Sequence, residues 1–498
     1  MSPRRPNVLL VVSDQERQRS WLPDGVALPA RQRLLDEGLE FTNHFTHTSP
    51  CSPSRATLFT GQYVPTHGVN ENIIHAIHTE LDPAIPTLGH VFRGLGYRTS
   101  YLGKWHLSHD PTPDMEAYGF SDWSGNDRAY MGWAGTGVEY DPPIAEQAVR
   151  WLGEHGADPD PWFLTVALVN PHDVMWFPID QPAYQQAHPD QVAFTRDLLG
   201  SVKWKPGEVL PAFDQPYERW FDRLPANFDD DLHTKPEVQR QWLYEQQHAL
   251  YGFIDPTDTD AWLRQLDYYV KLHELGDQSL ARVLDALDDA GQWDNTIIAF
   301  TSDHGDMCGS HGLRSKGPFV YDEIMRVPLY LRVPGLTRPG STTAALTSHV
   351  DLATTLPILC GADGPPPSMQ GIDVSALIEE PQATGREHVM FCQDSAWYER
   401  CIHTRYSMRG MFDGRFKYTR YYGVGGSTTP YGTVWPSPKL YDVDAAFEDH
   451  DHELYDLQED PYELVNLAND RGRRRELRGW FNQLIELEQL ELLRRAPS

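Results

Sequence analysis

Cysteine is scarce in this sequence, and what there is does not suggest disulfide pairing. The chain holds five cysteines among 498 residues, an odd number, and no two of them form a CxxC pair. They are Cys51, Cys308, Cys360, Cys392 and Cys401. This pattern excludes a small disulfide-built scaffold and indicates a reducing compartment. We therefore expect a cytoplasmic protein.

Long apolar runs are missing as well. The N-terminal sequence MSPRRPNVLLVVSDQ has an apolar run that ends at Ser13-Asp14, well short of the core and cleavage site of a signal peptide. No other stretch reaches the length that a membrane-spanning helix needs. We expect no membrane partner, and we read the first apolar run as a buried strand.

Positive charge is also in short supply. Lys and Arg together number 42 against 71 Asp and Glu, which gives a net charge of −29. A strongly acidic surface repels nucleic acid and anionic membranes, so we expect no nucleic-acid partner. A small anionic substrate would have to be attracted by a local positive site.

The chain does contain the alternation of strands and helices that is typical of an α/β fold. Apolar runs at residues 7–13, 97–102, 162–169, 296–301 and 327–333 predict buried strands of a mostly parallel sheet. Segments with helical spacing lie between them, at residues 30–38, 86–96, 143–153 and 261–290. We predict an α/β sandwich of a central sheet and flanking helices over residues 1–371, with an insertion near the site at about 181–260.

Beyond the Pro-rich segment GADGPPPSMQG the pattern changes. Short extended runs at residues 387–393, 406–412 and 415–421, with Asp413-Gly414 between the last two, predict a small antiparallel sheet. Residues 471–495 have helical spacing. We predict a smaller C-terminal subdomain over residues 372–498, whose terminal helix either packs on the protein or mediates assembly into a dimer or tetramer.

Polar residues follow four of the predicted strands. They are Asp14, Lys104, His172 and Asp303. In open α/β sheets ligands bind beyond the carboxyl ends of the strands, so these four positions are expected to face one site.

The segment Cys51-Ser52-Pro53-Ser54-Arg55, followed by ATLFTGQ, precedes or begins a helix. A helix N-terminus favours an anion, and Arg55 lies one turn from Cys51. The segment resembles the signature of the sulfatase family, Cys-x-Pro-Ser-Arg ahead of an alanine and a Thr-Gly pair. In that family the cysteine is oxidised by a formylglycine-generating enzyme to formylglycine, whose hydrate attacks the sulfur atom of a sulfate ester. The resemblance implies an alkaline phosphatase-like fold, with Arg55 holding the hydrate.

The resemblance covers residues 7 to about 371, with the motifs in the family's order. Asp14-Gln15 and Asp303-His304 match the positions of the metal ligands, together with Cys51 as formylglycine. Many sulfatases have Asp-Asp and Asp-Asn there; Gln15 and His304 are instead the pattern of choline sulfatases and phosphonate monoester hydrolases. The implied cofactor is one divalent cation, with Ca²⁺ placed first and Mn²⁺ or Mg²⁺ as alternatives.

Other matched positions carry the charge and proton chemistry of the family. Lys104 and Lys316 would bind the sulfate and the leaving oxygen, His172 would contact the sulfate, and His106 would act as a base. Asn72 matches a residue that contacts substrate in the choline sulfatase-like branch, and His311 has a supporting role. The set supplies positive charge where negative charge develops in sulfate ester hydrolysis.

The sequence leaves the substrate open. An aryl sulfate is our first expectation, since the aromatic segments at residues 123–133 and 176–177 could line a pocket for a ring; they could equally contact the ammonium group of choline sulfate. A phosphonate monoester or phosphodiester hydrolase of the same superfamily is the main rival. That branch has neutral hydroxyl side chains where this chain has Lys104 and His106. A non-catalytic anion-binding protein is the remote alternative.

Overall fold

A mostly parallel sheet forms the centre of the N-terminal part of the chain. The computed structural model describes residues 5–74, 78–109, 115–123, 131–200, 210–248, 251–394, 405–423 and 443–492. Its strands are β1 (Asn7–Asp14), β2 (Leu39–Phe41), β3 (His44–Phe45), β4 (Arg98–Gly103), β5 (Trp162–Pro171), β6 (Thr296–Ser302), β7 (Leu329–Arg332), β8 (Ser341–Thr343), β9 (Thr347–Ser348), β10 (Val389–Gln393), β11 (Ser407–Phe412), β12 (Phe416–Tyr422) and β13 (Asp451–Asp456).

The helices lie on both faces of this sheet and in the C-terminal part. They are α1 (Pro29–Glu37), α2 (Cys51–Thr60), α3 (Val64–His67), α4 (Leu88–Gly94), α5 (Thr136–His155), α6 (Pro182–Ala187), α7 (Pro189–Gly200), α8 (Glu237–His248), α9 (Thr259–Asp289), α10 (Asp322–Met325), α11 (His349–Leu359), α12 (Ala376–Glu379) and α13 (Arg474–Leu487). Within the described ranges, no helix is long and apolar enough to cross a membrane.

The main sheet has the strand order β4-β5-β1-β6-β7-β2-β8. Strand β1 pairs in parallel with β5 and β6, and β4 pairs in parallel with β5. Strand β7 is antiparallel to its neighbours β6 and β2. This confirms the predicted α/β sandwich, and it brings the carboxyl ends of β4, β5, β1 and β6 to one edge in that order.

Strand β1 is buried on both faces because its side chains alternate between two apolar layers. Val8, Leu10 and Val12 pack with residues of α2, α4 and α11. Leu9 and Val11 pack on the opposite face with residues of α1, α5 and α9. Each such side chain contributes about 1.5–3 kcal/mol by leaving water. The strand that carries Asp14 is therefore fixed from both sides.

The C-terminal part confirms the predicted antiparallel sheet. Strands β10-β11-β12-β13 follow one another in this order, and the predicted hairpin joins β11 to β12 with Gly414 at a φ of 95°. Leu477 and Leu484 of α13 are buried against this sheet, whereas Leu490 beyond the helix is exposed. The terminal helix thus packs on its own subdomain. The boundary at residue 371 remains our proposed division of the chain.

The predicted insertion at 181–260 contains α6, α7 and α8, which the sequence pattern did not indicate. Other sequence predictions lie outside the described residues: Cys401, residues 124–130 of the aromatic segment, and the end of the C-terminal tail. Strand β13 was not predicted either. The four cysteines within the described ranges are buried and unpaired.

Candidate active site

The first two elements of the site are the ends of β1 and β6. Asp14 is the last residue of β1, and Asp303 directly follows β6. Because the two strands are adjacent and parallel, the backbone N–H of Gln15 donates to the Asp303 carboxylate at 3.0 Å (N to Oδ1). Both carboxylates are fully buried. The sheet topology alone thus brings together two acidic residues that are far apart in sequence.

The turn after β1 has a left-handed backbone. Gln15 has a φ of 69°, which is uncommon for a residue other than glycine. Tyr269 of α9 holds this turn: its hydroxyl donates to the Gln15 carbonyl at 2.5 Å and accepts from the Arg17 N–H at 3.2 Å. Sequence analysis missed Tyr269, because a buried tyrosine on an amphipathic helix has the pattern of a core residue.

Cys51 is the first residue of α2 and lies opposite these strand ends. Its Sγ is 3.2 Å from His304 Nε2, 3.4 Å from Lys316 Nζ and 3.6 Å from Asp14 Oδ1. The helix N-terminus adds partial positive charge at this position. The residue that the sequence predicts to become the nucleophile therefore lies among the predicted metal ligands.

Four of the predicted metal ligands form one cluster. The ligand atoms of Asp14, Cys51, Asp303 and His304 all lie within 4.8 Å of one another, and all four residues are buried. The His304 Nδ1 lies 2.8 Å from the Gly305 carbonyl, so this nitrogen carries the proton and Nε2 faces the cluster as an acceptor. The donor set of carboxylate oxygens and a neutral imidazole fits a divalent cation.

Arg55 lies beneath this cluster and contacts both carboxylates. Its Nη2 donates to Asp14 Oδ2 and its Nε to Asp303 Oδ2, each at 2.9 Å, while Nη1 donates to the Lys104 carbonyl at 2.9 Å. The side chain is fully buried. In this geometry Arg55 holds the two acidic residues and the end of β4 together.

The two carboxylates differ in their surroundings. Burial is the largest single influence on the pKa of Asp14 and raises it. Lys104, whose Nζ lies 2.7 Å from Asp14 Oδ2, acts together with His172, Arg55 and Lys316 to hold that pKa well below its usual range. Burial and the negative charge of Asp14 raise the pKa of Asp303 to about 7, against the opposing effect of Arg55. A divalent cation between them would remove this repulsion.

The two lysines approach the cluster from different sides. Lys104 follows β4 and is fully buried, and Asp14 raises its pKa although burial opposes this, so its ammonium is charged. Lys316 is 7% exposed, and its Nζ donates to Gln15 Oε1 as well as contacting the Cys51 sulfur. Lys316 thus contacts Cys51 directly, and Lys104 lies close enough for its charge to lower the pKa of the Cys51 thiol, against the larger effect of burial.

His106 and His172 share this environment. Burial, followed by the charge of Lys104, holds the pKa of each imidazole well below its ordinary value, so both rings are neutral. The Nδ1 of His172 has no hydrogen-bond partner among the described residues. Neutral imidazoles can accept a proton or donate to an anion, so these two residues are suited to proton transfer.

Two predicted residues lie at the margin. The Asn72 Oδ1 accepts from the Ser52 N–H at 2.9 Å, which leaves only its Nδ2 to donate to a substrate. The His311 Nδ1 lies 2.7 Å from Asp230 Oδ2, and its ring stacks on Tyr321. His311 thus connects the insertion to the main domain.

Comparison with known proteins agrees with these observations. The profile of the family described as "Sulfatase" matches residues 6–362, and that of "N-sulphoglucosamine sulphohydrolase, C-terminal" matches residues 309–430. A choline-sulfatase of Rhizobium meliloti is 26% identical over 95% of this chain and 84% of its own length. An N-acetylglucosamine-6-O-sulfatase of Bacteroides thetaiotaomicron is 24% identical over 93% and 83%.

Solved structures give the same picture of the fold. A 2-O GAG sulfatase has a TM-score of 0.70 at 21% identity, covering 98% of this chain and 93% of its own. The phosphonate monoester hydrolase of Agrobacterium radiobacter has a TM-score of 0.69 at 24% identity, covering 98% and 96%. Since the sulfatase profile spans most of the chain, this protein belongs to the sulfatase family, the hydrolases of sulfate esters.

Proposed function

We propose that the protein hydrolyses sulfate monoesters with a formylglycine made from Cys51 and one divalent cation held by Asp14, Gln15, Asp303 and His304. The observation that carries the proposal is the position of Cys51: its sulfur is one of four clustered ligand atoms and also contacts Lys316 at 3.4 Å. A nucleophile there would be next to both a metal and a fixed positive charge.

The chemistry of the unmodified thiol supports conversion of Cys51. Burial, together with the Asp14 carboxylate, raises the pKa of this thiol to about 11. At neutral pH it is protonated and hence a poor nucleophile. Formylglycine, once hydrated, would supply a hydroxyl nucleophile instead. A formylglycine-generating enzyme is thus a proposed partner in maturation.

The ligand set supports a hard or borderline cation. Two carboxylates and the Gln15 amide oxygen are donors that Ca²⁺, Mg²⁺ and Mn²⁺ accept, and the His304 imidazole is compatible with Mn²⁺. We propose Ca²⁺ first and Mn²⁺ or Mg²⁺ as alternatives. The cation would neutralise charge on a sulfuryl oxygen and lower the pKa of the nucleophile.

The remaining side chains are assigned by their contacts. Lys104 and Lys316 would bind the sulfuryl oxygens and the leaving oxygen, and neutral His106 would accept a proton during sulfate release. The partnerless Nδ1 of His172 supports a role in contacting the substrate. Asn72 would donate from Nδ2.

The alcohol part of the substrate is proposed to be an aryl group. The Lys104 Nζ lies 3.5 Å from the Met131 carbonyl. Two residues after Met131 in the sequence is Trp133, which is half-buried. The Trp133 ring lies 5.8 Å from that of Trp176, which follows His172 by four residues. The segment that contacts Lys104 and the 3-10 helix that begins at His172 thus meet in aromatic contact, which supports a flat ring as the bound group. A quaternary ammonium group, as in choline sulfate, is the second candidate.

Lys104 distinguishes a sulfatase from a phosphonate monoester or phosphodiester hydrolase. In sulfate ester hydrolysis, negative charge develops on oxygens that the Lys104 ammonium would stabilise. A diester carries one more substituent on its central atom, so it needs more room and less positive charge at this position. We expect Lys104→Ala to reduce kcat/KM for an aryl sulfate by about 10²–10³-fold, and by less for an aryl phosphonate monoester. An equal loss on both substrates would remove this argument against a phosphonate hydrolase.

The deciding experiment is a parallel assay of metal-replete protein on an aryl sulfate, choline sulfate and an aryl phosphonate monoester. Peptide mass analysis of the same sample gives the fraction of Cys51 converted. The highest kcat/KM on either sulfate supports the proposal and identifies the alcohol. A preference for the phosphonate overturns the substrate class. No turnover by fully converted protein, with sulfate still bound, would indicate a non-catalytic anion-binding protein.

A further inference from the structure

Gln15 has an amide whose orientation is set from outside the metal cluster. Its Nε2 donates to Asp306 Oδ2 at 2.5 Å, and its Oε1 accepts from Lys316 Nζ. The two ends of an amide differ in polarity, since nitrogen donates and oxygen accepts. In the opposite orientation the nitrogen would face an ammonium and the oxygen a carboxylate, and both contacts would be unfavourable.

Asp306 is itself fixed in place. It is fully buried, three residues after Asp303, and its Oδ1 accepts from the Cys308 N–H at 2.7 Å. It is not one of the four clustered ligands, which include Cys51. Its direct hydrogen bond toward the cluster is the one from the Gln15 side-chain amide.

We propose that Asp306 is a positioning residue that directs the Gln15 oxygen toward both the cation and Lys316. The amide oxygen has two lone pairs, one for each partner. The Asp306 charge polarises the amide and so strengthens its oxygen as a ligand. Gln15 is a neutral ligand. Asp306 places a negative charge behind it, one hydrogen bond away from the amide. The inference depends on the proposed metal site.

The hydrogen bond between Gln15 and Asp306 predicts that Asp306→Asn has opposite effects on Mn²⁺ affinity in the wild-type chain and in the Gln15→Glu variant. In the wild-type chain, Asp306→Asn removes the charge that orients the amide, and Mn²⁺ affinity should fall about 10- to 100-fold, as with other outer partners of metal ligands. In the Gln15→Glu background two carboxylates would face each other. There, Asp306→Asn removes the repulsion and should strengthen Mn²⁺ binding.

The experiment measures Mn²⁺ binding by calorimetry for the full-length wild type, Asp306→Asn, Gln15→Glu and the double variant. Circular dichroism and thermal unfolding confirm that each variant is folded. Asp180→Asn is the matched control: Asp180 is buried and accepts from the Tyr268 hydroxyl at 2.7 Å, far in sequence from the ligands, and its loss should leave Mn²⁺ affinity unchanged.

Each outcome is decisive. Opposite effects of Asp306→Asn in the two backgrounds support the positioning role, which a merely structural residue would not produce. An effect of the same sign in both backgrounds, or no effect in the wild-type chain, overturns it. If the wild type binds neither Mn²⁺ nor Ca²⁺, the proposed metal site is wrong, and this inference fails with it.

Discussion

The chain contains two buried clusters of charge that are built differently. In the candidate site, the carboxylates of Asp14 and Asp303 share Arg55, and Lys104 and Lys316 add further positive charge. In and beside the C-terminal part, each of three buried arginines has one carboxylate as a bidentate partner. The members of this second group, called here the C-terminal ion-pair cluster, are Asp351, Arg386, Asp394, Arg409, Arg420, Glu488 and Glu491.

The two clusters differ in whether their charged groups remain available to bind a ligand. In the C-terminal ion-pair cluster the shortest pairs are bidentate. Arg420 Nη2 lies 2.8 and 2.6 Å from the two Glu488 oxygens, and Arg409 donates to both oxygens of Asp394. Those charges satisfy one another. In the candidate site the cations outnumber the carboxylates and neutral histidines surround them. Such a site can accept both an anion and a metal, which is typical of a catalytic centre.

The largest expected effect separates activity from stability. Cys51→Ala removes the proposed nucleophile but only one sulfur atom from the interior, so kcat should fall by about 10⁴-fold or more. The free energy of unfolding should change by about 1 kcal/mol at most. Rates on an aryl sulfate and urea unfolding measure the two quantities. A variant that keeps most of its activity would disprove the mechanism.

The C-terminal ion-pair cluster should show the reverse. Arg420→Met removes the bidentate partner of the buried Glu488 carboxylate, which then keeps only Arg409 at 3.7 Å, and we expect a loss of about 3 kcal/mol in the free energy of unfolding. The kcat per folded molecule should stay unchanged. Arg478→Met is the control, since Arg478 pairs with Glu448 at the surface and its loss should leave the free energy of unfolding nearly unchanged. A fall in kcat for Arg420→Met would mean that the two clusters are coupled.

The two clusters also differ in how far the sequence predicts them. The site depends on residues next to strand ends, so apolar runs and short motifs predicted Asp14, Lys104, His172 and Asp303 together. Asp306 could have been found too, because it stands three residues after Asp303 in the same segment. Tyr269 could not, since only the packing of α9 on the turn after β1 gives it a role.

The C-terminal ion-pair cluster had no such signal. Arg386 and Glu491 are 105 residues apart, and Arg420 and Glu488 are 68 apart. A charged residue in a single sequence indicates a solvated surface until the fold buries it. The same reason explains β13: its sequence, Asp451–Asp456, is mostly polar, and only its pairing with β12 and the burial of its last four residues reveal a strand.

The smallest expected effect concerns the pH dependence of the C-terminal ion-pair cluster. Burial raises the pKa of Glu491, but a hydrogen bond from His388 and the charge of Arg386 outweigh it and lower the pKa to about 2, from an ordinary 4.5. A lowered pKa means that the ionised form stabilises the folded state. That contribution is complete above about pH 4.5 and is lost as the pH falls toward 2.

Between pH 5 and pH 3.5 the expected loss from Glu491 is about 1 kcal/mol. Glu491→Gln cannot titrate, so its free energy of unfolding should fall by about 1 kcal/mol less than that of the wild type over this interval. Urea unfolding at both pH values measures the difference. The Glu491 side chain is 24% exposed, and solvent can only reduce the effect. The same fall in the free energy of unfolding for both proteins would mean that other carboxylates control acid unfolding. Glu491 would then be held to Arg386 no more tightly than a surface pair.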